Sequence, residues 1–185
     1  TGMNVLNPAL TGRIFLFFAY PSYMSGSVWR ILPESGAVDG VTGATALGEL
    51  VGHGDVAQLG YTWSDYFWGL VPGSMGETSA FCCLLGAAFL IFTKVGSWRI
   101  MASCVLGLTA MTLLMNVFSA GGSTEAIQGF LAMGPEWHLV LGGFAFGTVF
   151  MATDPVSAAQ TDRGRWIYGF LIGALTPIVR VINPA

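Results

Sequence analysis

From Trp98 to Phe118 the chain is almost wholly apolar, and its one charged residue, Arg99, sits at the very start. About 20 such residues are what a helix needs to cross the hydrocarbon of a bilayer. Lipid offers no water to the backbone, so a segment crossing it must close its hydrogen bonds internally, as an α-helix does. This run therefore constrains the fold more than any other feature, and it has company. We read five spans, at about 3–20, 77–93, 98–118, 137–153 and 166–182. The first is interrupted by Asn7-Pro8 and Arg13. Trp98, Trp137 and Trp166 each open a span, where amphipathic rings anchor at the interface. The predicted fold is all-α: a polytopic transmembrane helix bundle, residues 1–185 forming one membrane domain with a long extracytoplasmic loop over 21–76.

Composition agrees with that reading and excludes others. Charged residues are 9% of the chain, against about 25% in soluble domains. A net charge of −3 and the lack of any basic run argue against a nucleic-acid partner. Cys82, Cys83 and Cys104 all lie in apolar stretches. Without a C-x-x-C or a Cys/His cluster, no metal site is expected, and the thiols read as small buried hydrophobes. The chain starts at Thr1 and stops at Ala185 directly after an apolar segment, so a fragment of a longer subunit is expected.

The basic residues orient the spans. Lys94 and Arg99 lie at the turn between spans two and three, and Arg163 and Arg165 between spans four and five. These turns belong on one side, the cytoplasmic one. The loop over 21–76, with Arg30 as its one basic residue among five carboxylates, and the loop over 119–136, with none, face outward.

Several polar groups stand where lipid would be. Asn4 and Asn7 precede Pro8 in the first span. Their amides suit either a planar polar ligand, such as an isoalloxazine or a quinone head group, or hydrogen bonds between helices. Asp154, in Met151-Ala-Thr-Asp-Pro-Val-Ser157, either offers oxygens to a hard cation such as Na⁺ or ends a helix. Arg180, deep in the fifth span, needs a partner, and the part beyond Ala185 is a candidate source. His138 reads as an interfacial hydrogen bonder, and His53 carries no assigned role. Gly143 to Gly147 and Gly169 to Gly173 read as packing faces.

The outer loop holds Asp39-Gly-Val-Thr42-Gly43-Ala44-Thr45. Its glycines permit unusual backbone angles, and Ala44 leaves the Thr45 hydroxyl approachable. By itself the heptad reads as an ordinary turn, since Asp, Gly and Thr are common there.

Its form, D-x-x-[S/T]-G-A-T, resembles the site at which a transferase joins FMN to threonine through a phosphodiester. Asn4 to Phe18, Val71-Pro-Gly-Ser-Met-Gly-Glu77, Trp137 to Ala158 and Tyr168 to Ala185 extend the likeness. Together they resemble the B subunits of the Na⁺-translocating NADH:quinone oxidoreductases. The related D subunits of ferredoxin:NAD complexes of the Rnf type share the heptad and the Ala-Thr-Asp-Pro segment.

The resemblance implies a multi-pass subunit of about ten helices in the bacterial inner membrane, with the Thr45 loop on the periplasmic side. It implies covalent FMN on Thr45, with Asp39, Thr42, Gly43 and Ala44 as the flavinylation motif. Asn4 and Asn7 match a riboflavin site. The A, C, D, E and F subunits, an FMN transferase and membrane lipid are the implied partners. Electrons from NADH would pass through the FMN of the C subunit, this FMN and riboflavin to ubiquinone, with Na⁺ moved outward. An Rnf-type ion pump subunit or a non-redox transporter subunit, with the heptad a mere turn, are the alternatives.

Overall fold

The computed structural model describes residues 6–20, 46–47, 50, 60–71, 73, 78–119, 131 and 133–182. The heptad at 39–45 and Asn4 lie outside these residues. Among them every regular element of more than one residue is helical. In order they are α1 (Pro8–Ala19), α2 (Trp63–Trp68), α3 (Ala80–Phe92), α4 (Trp98–Ser119), α5 (Pro135–Val140), α6 (Phe144–Phe146) running into a π-helical turn (Gly147–Met151), and α7 (Asp162–Ile182).

Among the described residues two helices have the length and hydropathy to cross a bilayer: α4 over Trp98–Val117, mean hydropathy 1.9, and α7 over Asp162–Ile182, mean hydropathy 1.4. α1 and α3, with 12 and 13 residues, are shorter. At 1.5 Å per residue each reaches about 20 Å, less than the roughly 30 Å of a hydrocarbon core. α1 therefore begins later than the expected span at 3–20. Pro8 explains its start: the ring lacks an N–H that the first turn would leave unpaired anyway. The side-chain oxygen of Asn7 accepts from the amides of Ala9 (2.9 Å) and Leu10 (3.3 Å), completing the cap.

α4 and α7 form the frame. They run side by side in the same direction, with the Trp98 and Trp166 rings edge to face at 6.1 Å at one end. Their backbones approach because of three glycines. A Cβ on Gly107 would meet the backbone of Phe170, one on Gly169 would meet Ser103, and one on Gly173 would meet the Cys104 carbonyl. Small residues at a helix contact are the usual route to close packing in lipid, where burial of apolar surface brings helices no gain. Ser103 adds a bond across the pair, its hydroxyl donating to the Arg165 carbonyl at 3.3 Å. Cys83 and Cys104 are buried, and Cys82 is exposed.

The same end carries the basic residues. Arg99 reaches Asp162 at 3.1 Å, and Arg165 reaches it at 3.6 Å. The α3–α4 and α6–α7 connections thus share one side of the molecule. The opposite end holds an apolar cluster of Leu50, Tyr66, Val71, Ala80, Met133, Val140 and Leu141, with Ala46, Leu47, Trp137 and Val181 packed on it.

The fourth segment departs from the expected span at 137–153. It is broken. α5 ends at Leu141, whose backbone is extended (φ −80°, ψ 137°), and Gly142 follows at φ +68°. That angle belongs to the left-handed region, which glycine alone enters without penalty. The chain then resumes as α6 and widens into the π-turn, closed by the amide of Ala152 donating to the Gly147 carbonyl at 2.8 Å.

Candidate functional site

The break creates a polar problem in an apolar setting. Once Leu141 and Gly142 leave helical geometry, nearby carbonyls lose the amides one turn ahead. Each carbonyl left unpaired in the interior would cost roughly 1–3 kcal/mol. Arg180, near the end of α7, meets this demand. Its Nη1 donates to the His138 carbonyl at 2.9 Å, and its Nη2 donates to the Leu141 carbonyl at 2.6 Å. Nη1 also lies 3.0 Å from Nδ1 of His138. Arg180, His138 and Leu141 are all buried. So the partner expected from beyond Ala185 is found within the described residues, on the broken segment. His138 faces inward, against the interfacial role expected for it.

Beside the break lies a cavity of about 560 Å³, lined in part by Leu10, Leu47, Thr148, Tyr168, Thr176 and Arg180. Gly143 and Gly147 also line it, and a Cβ on either would meet nothing within 4 Å. These two glycines were expected to be a packing face. Among the described residues they border open space instead.

A second polar cluster lies at the basic end. Asp154 follows the π-turn, and Nδ2 of Asn7 donates to its Oδ2 at 3.2 Å. The Ser157 hydroxyl donates to the same oxygen at 2.6 Å, and the amide of Val156 donates to Oδ1 at 3.3 Å. The bond from Ser157 is the main reason the Asp154 carboxyl is held below its ordinary range, so it is ionised at neutral pH. Asn7 thus joins two segments while capping its own helix, and Asp154 anchors a turn while keeping its charge. Both amide readings remain compatible with this geometry, because the pair borders a cleft of about 450 Å³. Pro8, Leu90, Gly96, Phe150 and Thr153 complete most of its wall. A cleft of that size, apolar with a few polar groups, suits a flat aromatic ligand. Among the described residues no three His, Cys, Asp or Glu side chains gather as a metal site.

Of the expected site residues, the structure brings Asn7 and Asp154 together, although 147 positions separate them. Asn4, Asp39, Thr42, Gly43, Ala44 and Thr45 lie outside the described residues. The chain directly after Thr45 is placed: Ala46 and Leu47 pack on the cluster that contains Val140 and Leu141, at the end of the molecule away from the basic residues. Next to it Tyr66 and Trp137 meet edge to face at 6.0 Å, and the Trp63 indole donates to the Glu136 carbonyl at 3.0 Å. Sequence reading singled out Arg180 but missed the break whose carbonyls it meets. The consecutive glycines 142 and 143 within an apolar run were the available signal.

Comparison with known proteins finds relatives along the whole chain. It is 53% identical to the B subunit of the Na(+)-translocating NADH-quinone reductase of Chromohalobacter salexigens, covering all of this chain and 43% of that protein. The protein of the same name from Pseudomonas paraeruginosa is 52% identical, over all of this chain and 44% of its own length. That from Neisseria meningitidis is 49% identical, with the same coverage of 100% and 44%. The chain thus spans less than half the length of these relatives. The family described as NQR2, RnfD, RnfE matches residues 1–185, and the chain belongs to it.

Proposed function

We propose that this chain is part of the membrane-embedded B subunit of a Na⁺-translocating NADH:quinone reductase. In this reading Thr45 bears FMN through a phosphodiester, and electrons pass by way of riboflavin to ubiquinone while Na⁺ leaves the cell. The observation that carries it is identity near 50% along the whole chain to proteins of that name, joined to the D-x-x-T-G-A-T heptad that ends at Thr45. The assembly with the A, C, D, E and F subunits in the bacterial inner membrane, and the periplasmic side of the Thr45 loop, belong to the same proposal.

When bound, the flavins supply one-electron carriers. The chain's own residues do the holding. Thr45 offers the hydroxyl oxygen for the ester, in a setting of small neighbours. Ala46 and Leu47 root that stretch on the apolar cluster beside the broken segment. Asn7, in the 450 Å³ cleft, offers an amide beside Pro8 and Phe150 for an isoalloxazine edge and face. Asn4 is assigned to the same role from its place in the sequence. Asp154 supplies an anionic oxygen beside Thr153 at the cytoplasmic edge, a fitting place for Na⁺ to exchange its hydration shell for protein oxygens.

The test is in-gel flavin fluorescence under denaturing conditions, on the full-length subunit co-expressed with an FMN transferase. Wild type should fluoresce and Thr45→Ala should not, with assembly retained. A Thr45→Ala protein that keeps its covalent flavin overturns the assignment. No fluorescence in either, with the transferase active on another substrate, favours a non-redox transporter subunit. Reduction of NAD by ferredoxin in the assembled complex, in place of quinone reduction by NADH, would favour the Rnf-type subunit.

A further inference from the structure

Arg180 reaches carbonyls 42 and 39 positions earlier in the chain, both at the break in the fourth segment. We propose that Arg180 is a positioning residue: its guanidinium holds the break at Leu141–Gly143 in one geometry and so fixes where Asp154 stands. The inference rests on the functional reading above for its ion readout, and on geometry alone for its structural one.

Four observations carry it. First, the guanidinium uses two nitrogens on two carbonyls of α5's last turn. A rigid planar fork can set the angle between two acceptors, which a lysine ammonium at the end of a flexible stem cannot. Second, the helix that carries it is packed closely two turns earlier. α7 is locked to α4 by glycine contacts that leave no room for a Cβ. Third, the element that it holds has somewhere to go. Among the described residues no atom stands within 4 Å of a Cβ placed on Gly143 or Gly147, both of which border the 560 Å³ cavity, so α6 and the π-turn have space on that side. Fourth, the helical stretch from Phe144 to Met151 leads directly to Asp154. A tilt at the break is carried along it, and the Asn7–Asp154 bond, at 3.2 Å, has little slack.

A buried ionic group is a poor choice if filling space is all that is needed, since apolar side chains of like volume often stabilise as well or better. What a charge with directed bonds adds is a unique arrangement. The break separates the cluster that roots Ala46 and Leu47 from the short helical stretch that leads to Asp154. Arg180 stands at the joint between the proposed flavin anchor and the proposed ion site.

The experiment uses the full-length subunit in its assembled complex, with Arg180→Met and Arg180→Lys. Covalent flavin fluorescence and complex assembly are recorded first. Two readouts follow: hydrogen–deuterium exchange over residues 137–147, and the Na⁺ concentration that half-maximally stimulates quinone reduction. Arg180→Met should exchange faster at 137–147 and need about three- to tenfold more Na⁺, a coupling of ordinary size for a residue outside the site. Arg180→Lys should fall between it and wild type, and covalent flavin should be unchanged in both. Faster exchange with an unchanged Na⁺ requirement makes Arg180 a staple without a positioning role and overturns the proposal. So does unchanged exchange. If Arg180→Met does not assemble, the same readouts on Arg180→Lys decide, and loss of assembly in both assigns Arg180 to folding alone. A wild type without Na⁺ stimulation counts against the functional reading instead, and the exchange result still judges the clamp.

Discussion

Gly169–Gly173 and Gly143–Gly147 share one spacing and serve opposite ends. In α7 a Cβ at Gly173 would run into the Cys104 carbonyl, and one at Gly169 into Ser103. In the fourth segment a Cβ at Gly143 or Gly147 would touch nothing among the described residues. The first pair lets two backbones close on each other. The second borders a cavity beside a broken helix. Glycine at four-residue spacing therefore marks an absence of bulk, and the neighbour decides whether that absence is filled by a helix or left open.

This contrast can be broken by substitution. Gly173→Val should do the most damage. The obstacle is backbone on α4, which has no rotamer to change, so the pair must separate. A loss of about 3 kcal/mol or more is expected, at the upper end of overpacking costs. Thermal retention of the solubilised complex would read it, and a wild-type midpoint would refute the close contact. Gly142→Ala should cost about 1–2 kcal/mol through its positive φ, with no clash invoked. The same thermal assay should place it between the other two. Gly147→Ala should change stability by less than about 0.5 kcal/mol, as a substitution into open space does. A large loss there would mean that the cavity side is packed.

The smallest expected effect concerns pH. The Asp154 carboxyl is held low chiefly by the Ser157 hydroxyl. A depressed folded value means that its stabilising contribution is present above the ordinary carboxyl range and is lost only as pH falls through the depressed value. Between about pH 6 and 9 its charge is therefore constant. Any step in Na⁺ stimulation within that window should be the same in wild type and Ser157→Ala. A step that moves with Ser157→Ala would mean that Asp154 titrates there.

Much of the fold was legible because lipid is a simple solvent. The apolar runs at 98–118 and 166–182 have one way to satisfy their backbones, and α4 and α7 lie close to those bounds. Basic residues at both inner turns pointed to a shared end, and Arg99, Asp162 and Arg165 meet there. The run at 137–153 misled for the same reason. Hydropathy averages over a window and does not register two consecutive glycines that let the chain leave the helix.

The sequence by itself determined that this chain is helical, apolar and a member of its family, because these follow from residue type, local periodicity and order along the chain. It also singled out Asn7, Asp154 and Arg180 as polar residues in need of partners. Tertiary structure alone decided who the partners are. Asn7 finds Asp154 across 147 positions, and Arg180 finds the carbonyls of a broken segment. Such pairings depend on where distant segments lie in space, and on backbone groups that every residue has and no sequence pattern distinguishes.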